Sequence, residues 1–192
     1  MARRTSLALV LLLLSGPLGH AAPARKTILD YFRTIPIHYL SSNGLAFDRI
    51  RSLTVQDLAN GFLKYEVSDA PLEGQVTLFR KTDGSPLVAL VIDDCGGCGE
   101  GYHQTLHFLE EHHGKWIDRI KTVLPPITEA MLVAQINKVT GRTVTVDQTN
   151  HVYPDYRLPQ HGTTIIVQEQ GNVPTPLFHL HWNKTRFDLR AP

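Results

Sequence analysis

Residues 76–92 read VTLFRKTDGSPLVALVI, and this stretch decides the fold. Two strand-like stretches, 76–81 and the wholly apolar 87–92, flank Thr82-Asp83-Gly84-Ser85, a turn with a glycine free to take positive φ. The pattern predicts a β-hairpin. LVALVI is apolar at every position, so its strand is expected to be buried on both faces, as a central strand is. Downstream, residues 104–110 and 115–120 flank His112-His113-Gly114. A helix over 104–113 with Gly114 as its cap competes there. The period-two pair Leu106 and Phe108, with Trp116 just past the turn, favours a second hairpin. Upstream, Asn60-Gly61 marks a turn before a strand over 62–67 that places Leu63, Tyr65 and Val67 on one face.

The flanks are helical. Ile28, Leu29, Phe32 and Ile35 fall at helical spacing, with Thr27 able to cap the start and Pro36 to end the run. Pro125-Pro126 closes this first unit. Residues 128–139 (TEAMLVAQINKV) predict a second helix, capped by Thr128 and stopped at Gly141. Strands are expected at 143–146, 163–168, 177–182 and 186–189, joined by loops rich in proline and glycine. The expected class is α+β: antiparallel β-meanders with two main helices, in the order helix, meander, helix, meander. The division is residues 1–24 as a signal peptide, 25–125 as the first helix and meander, and 126–192 as the second. The last two are expected to pack as one compact unit.

The 192 residues carry 19 Lys and Arg against 18 Asp and Glu, a formal balance of +1. That leaves no basic excess to track a phosphate backbone, so no nucleic-acid partner is expected. Arg3-Arg4 precedes the unbroken apolar run 7–14 (LALVLLLL), then Ser15-Gly16-Pro17 and small residues at Gly19, Ala21, Ala22 and Ala24. Eight apolar residues rise only about 12 Å as a helix, far short of a hydrocarbon core of about 30 Å. The segment therefore reads as a cleavable export signal, cut after Ala21 or Ala24, and not as a membrane span. Cleavage removes Arg3 and Arg4 and no acid, leaving 17 basic against 18 acidic residues and a balance of −1. The expected location is periplasmic or secreted, where thiols are usually oxidised.

Ile28-Leu29-Asp30-Tyr31-Phe32, Asn60-Gly61-Phe62-Leu63 and Leu78-Phe79-Arg80-Lys81 are followed by Thr105-Leu106-His107-Phe108-Leu109, Gly114-Lys115-Trp116 and Leu124-Pro125. Over about residues 28–125 these strings resemble an uncharacterised family of exported, periplasmic bacterial proteins. The resemblance implies a secreted bacterial protein and supplies no activity and no catalytic residues.

Asp93-Asp94-Cys95-Gly96-Gly97-Cys98-Gly99-Glu100-Gly101 is the most unusual stretch, and three readings compete for it. Cys95 and Cys98 could form a local disulfide across a tight Gly-Gly turn, stabilising by roughly 2 kcal/mol. They could instead exchange disulfides, since a strand leading into C-x-x-C resembles the opening of thioredoxins. Against this, Asp93, Asp94 and Glu100 would raise the thiol pKa, the wrong direction for an attacking thiolate. Third, Cys95, Cys98, His103 and His107 are spaced like a small metal module, with zinc or copper the alternative cofactor to none. On a strand, however, His103 and His107 would stand about 13 Å apart. His179 and His181 lie two apart on an expected strand and share a face, which suits either metal binding or simple exposure opposite Phe178 and Leu180.

No G-x-S-x-G elbow and no glycine-rich phosphate loop between strand and helix occurs in the sequence, so no catalytic residue is assigned. The leading expectation is a small exported, non-enzymatic envelope protein whose partner is an envelope protein or a small ligand. The alternative is thiol–disulfide or metal handling centred on Cys95 and Cys98.

Overall fold

The computed structural model describes residues 25–40, 50–67, 73–94, 103–146, 151–170 and 174–192. Among the described residues, ten strands form two antiparallel sheets. The larger has the order β1 (Ile50–Asp57), β2 (Phe62–Val67), β3 (Glu73–Arg80), β4 (Pro86–Asp94), β5 (His103–His112) and β6 (Lys115–Asp118). The smaller has the order β10 (Phe187–Arg190), β9 (Pro176–Trp182), β8 (Thr164–Glu169) and β7 (Pro154–Arg157). The α-helices among the described residues are α1 (Ile28–Phe32), α2 (Ile120–Val123) and α3 (Glu129–Thr140), with a 3-10 turn at Ile37–Tyr39. The antiparallel meanders are as expected, but strands dominate, and the molecule is mainly β rather than an even mixture.

Local chemistry explains most boundaries. Thr27 and Asp30 cap α1 reciprocally, Thr27 N donating to Asp30 Oδ2 (2.7 Å) and Asp30 N to Thr27 Oγ1 (3.3 Å). Thr128 caps α3, and Gly141 ends it in the left-handed region at φ 70°. At the β3–β4 turn, Lys81 N donates to Ser85 O (3.0 Å) and Gly84 takes φ 80°. Arg80 then pairs with Pro86, and the register runs unbroken to Gly74 opposite Ile92.

The β4 strand lies between two apolar clusters. Leu87, Ala89 and Val91 face one, and Val88, Leu90 and Ile92 face the other. The first lies between the sheets, where Phe187 stacks 5.1 Å from Phe79, 4.9 Å from Phe108 and 4.9 Å from Trp182. Fully burying side chains of this size stabilises by about 1.5 to 3 kcal/mol each. The second lies under α1, where Ile28, Tyr31, Phe32 and Ile35 cover Leu63, Tyr65, Val76 and Leu109. The larger sheet is thus the middle layer.

Four expectations need correction. Residues 143–146 form no strand; Val144 N is held by Asn137 Oδ1 (2.7 Å) instead of a neighbouring strand. The strand in this region is β7, which begins at Pro154 within a stretch read as loop. Proline is compatible with the first residue of an edge strand, because its missing N–H is not needed there. Strand β1 was not expected at all; its pairing with β2 shifts register twice, which obscures the period-two pattern. The strand expected over 115–120 ends at Asp118, and Ile120 opens α2.

Candidate functional site

The two sheets are joined at their hairpin tips. Trp182 Nε1 donates to Arg80 O (2.8 Å) and Thr82 N to Lys184 O (3.1 Å). Lys184 sits at φ 74°, a conformation that non-glycine residues adopt at a cost and that aims the β9–β10 tip at the β3–β4 tip. Beside this junction lies a cleft of about 520 Å³, whose lining combines the apolar Leu87 and Val123 with charged and polar residues, among them Lys81, Glu110, Arg119 and Lys184.

Glu110 organises its charges. It accepts from Lys81 Nζ and from Arg119 Nε (2.9 Å). The hydrogen bond from Lys81, reinforced by the one from Arg119, holds its carboxyl below the usual carboxylate range against the opposing effect of burial. Asp83 is turned toward Ser85, accepting from its N (2.8 Å) and Oγ (2.6 Å). Arg119 therefore keeps its Nε fixed while both Nη groups are unpartnered among the described residues, as is Lys184 Nζ. A planar guanidinium held at one edge and open at the other can take a carboxylate or phosphate through two parallel hydrogen bonds. None of Lys81, Glu110, Arg119 and Lys184 was singled out in the sequence. The available signal was local: Lys184 occupies the polar turn Asn183-Lys184-Thr185, Glu110 lies on β5 and Arg119 directly follows β6.

Of the residues that the sequence did single out, Cys95 and Cys98 lie outside the described residues. The ends of their loop are fixed, since Asp94 pairs with His103 across β4 and β5. Asp93, next to them, is pushed up by burial, which outweighs donation from Gln104 Nε2 (2.8 Å) and Glu73 N (3.2 Å). His103 and His107 both lie on β5 and have different surroundings. The His103 ring is 5.6 Å from Tyr153. His107 Nδ1 meets Asp118 Oδ2 at 2.6 Å, and Tyr39 stands edge-on at 5.3 Å. Burial raises the Asp118 carboxyl, but His107 and the backbone N–H groups of Ile120 and Phe108 together hold it below the usual range. His179 and His181 lie on β9 with ring centres 6.1 Å apart, both partly exposed, while Phe178 and Leu180 are buried. Among the described residues, no cluster of three or more His, Cys, Asp or Glu converges as a metal site. Among the same residues, no helix is long and apolar enough to cross a membrane.

A buried polar layer ties the sheets together at the end opposite the tips. Tyr156 N donates to Gln104 Oε1 (2.6 Å), Leu158 N to Gln75 Oε1 (3.0 Å), and Thr77 Oγ1 to Pro159 O (3.0 Å). Side chains of the larger sheet thereby satisfy Tyr156 N of β7 and the backbone just beyond the strand. These three bonds are structural in their chemistry, each joining a backbone group of the 156–159 segment to a side chain of the larger sheet. Comparison with known protein families, curated proteins and solved structures finds no match to the chain.

Proposed function

We propose that the chain is a small exported protein of the bacterial envelope that binds a ligand without transforming it, and that the ligand enters the cleft at the joined hairpin tips. The observation that carries this reading is Arg119, which lines the cleft and is fixed through Nε by Glu110 while its Nη groups make no hydrogen bond among the described residues. Lys81 and Lys184 add positive charge, Thr185 adds a hydroxyl, and Glu110 and Asp83 restrict where an anion can sit. The fitting ligand is a small molecule, or a protruding group of a partner, that bears a carboxylate or phosphate. Export is supported by the apolar run 7–14 between Arg3-Arg4 and the small residues before Lys26.

Thermal unfolding with citrate and inorganic phosphate as probes tests the cleft. The midpoint should rise with probe concentration in the parent chain and stay flat in Arg119→Ala and Lys184→Ala. An equal response in all three proteins, or none in the parent, overturns the assignment. N-terminal sequencing of protein from a periplasmic fraction should begin at Ala22 or Arg25; an intact leader on cytosolic protein defeats the export reading.

A further inference from the structure

We infer that His179 and His181 form a two-imidazole site for a borderline divalent transition metal, Cu²⁺, Ni²⁺ or Zn²⁺, on the partly exposed face of β9. The site is independent of the anion cleft. Residues two apart on a strand project to the same side, and these two rings stand 6.1 Å apart, close to perpendicular. An ion about 2.1 Å from one nitrogen of each ring lies roughly 3 Å from each ring centre. Reaching a tetrahedral angle therefore requires the two rings to close by only about 1 Å, which rotation of the side chains can supply. Thr164 Oγ1 lies 3.0 Å from His181 Nδ1, which orients that ring and leaves Nε2 as the free ligand atom. Metal-binding histidines are commonly fixed in this way through their second nitrogen.

The neighbouring strands set the local charge. Asp188 pairs with His181 and adds a negative charge; its carboxylate accepts from Asn183 Nδ2 (3.0 Å) and lies 3.7 Å from Arg186 Nε. Arg190 pairs with His179 and opposes a cation, while Ile166 and Thr164 face the pair from β8. Two imidazoles with water completing the shell favour the softer divalent ions over Mg²⁺ or Ca²⁺.

Titration calorimetry of the full chain with Cu²⁺, Ni²⁺ or Zn²⁺ alone tests the site, in a Cys95→Ser/Cys98→Ser background that removes thiol donors. One equivalent should bind at pH 7.5. Affinity should fall by about tenfold or more in each of His179→Ala and His181→Ala, and by less in Thr164→Val. His181→Gln, with its unfolding midpoint measured alongside, guards against loss through misfolding. Binding that survives both histidine variants, or no binding in the thiol-free chain, overturns the proposal.

Discussion

At Gly74 the missing side chain matters more than backbone freedom. A Cβ there would overlap the ring of Tyr65, whose hydroxyl end lies across the glycine from the paired strand. Tyr65 is fully buried, and its hydroxyl has no hydrogen-bond partner among the described residues. Burial pushes that hydroxyl's pKa well up, so it stays neutral. Tyr65→Phe removes an unpaired polar atom and keeps the ring, so stability should hold or rise by up to about 1 kcal/mol. Gly74→Ala forces the ring out and should cost more than about 2 kcal/mol. Urea unfolding of both variants checks the pair; a marked loss in Tyr65→Phe would mean that the hydroxyl has a partner. Asp118 behaves in the opposite way, because its acceptors are all used. Its lowered pKa gives stability that is complete above the unfolded value near 4 and lost as pH falls through the lowered one. Asp93, pushed up, contributes the reverse slope: stability declines as pH rises from about 4 through its raised value. Asp118→Ala should therefore cost about 1 to 3 kcal/mol at pH 7 and flatten the acid limb below about pH 4, as followed by urea unfolding at stepped pH.

Among elements, those with strong local signals were the ones legible from sequence. The β2 strand spans 62–67 as expected, β8 to β10 fall within a residue of their expected bounds, and α3 runs between its threonine and glycine caps. Each joins a hydrophobic period to a turn or cap that depends on a few adjacent residues. Where pairing overrides local preference, the reading failed. The β1 strand holds together through two register shifts, and β7 is a four-residue edge whose Tyr156 N is satisfied by Gln104 and whose exit at Leu158 N is satisfied by Gln75, both from the other sheet. No spacing within 154–158 could announce glutamines 52 positions from Tyr156 and 83 from Leu158. The candidate cleft was hidden for the same reason, since Arg119 and Lys184 meet only when two hairpins from different sheets join. The α3 cap offers a local test. Gly141 holds φ 70° with open space around its Cα, so Gly141→Ala meets strain alone and should cost about 1 to 2 kcal/mol. A change below a few tenths, in thermal or urea unfolding, would show that the helix end frays without loss.

The packing of the whole molecule leaves little room for two independently stable halves. The expected boundary at Pro125-Pro126 separates the sheets in sequence, but the aromatic cluster of Phe79, Phe108, Trp182 and Phe187 takes members from both sides of it. Removing the smaller sheet would expose Phe79, Ala89, Val91 and Phe108 together, an apolar face that needs a partner layer. Hydrogen bonds at the tips and through the glutamine layer add directional links at both ends of this contact. The chain has two tryptophans, Trp116 on β6 and Trp182 on β9, so each sheet carries its own fluorescent reporter. Two single-tryptophan proteins, Trp116→Phe and Trp182→Phe, separate the signals. The second also loses the bond to Arg80 O and should be less stable overall by roughly 1 to 2 kcal/mol. Because that loss shifts one midpoint, each protein is compared with its own far-ultraviolet circular dichroism. In each, fluorescence and dichroism should trace one urea transition, the mark of a single cooperative unit. Phe187→Ala, which opens a cavity between the sheets, should lower both reporters' midpoints together and cost about 3 to 5 kcal/mol. If the Trp116 signal stays put while the Trp182 signal moves, the sheets unfold separately, and the shared core is not what holds this fold together.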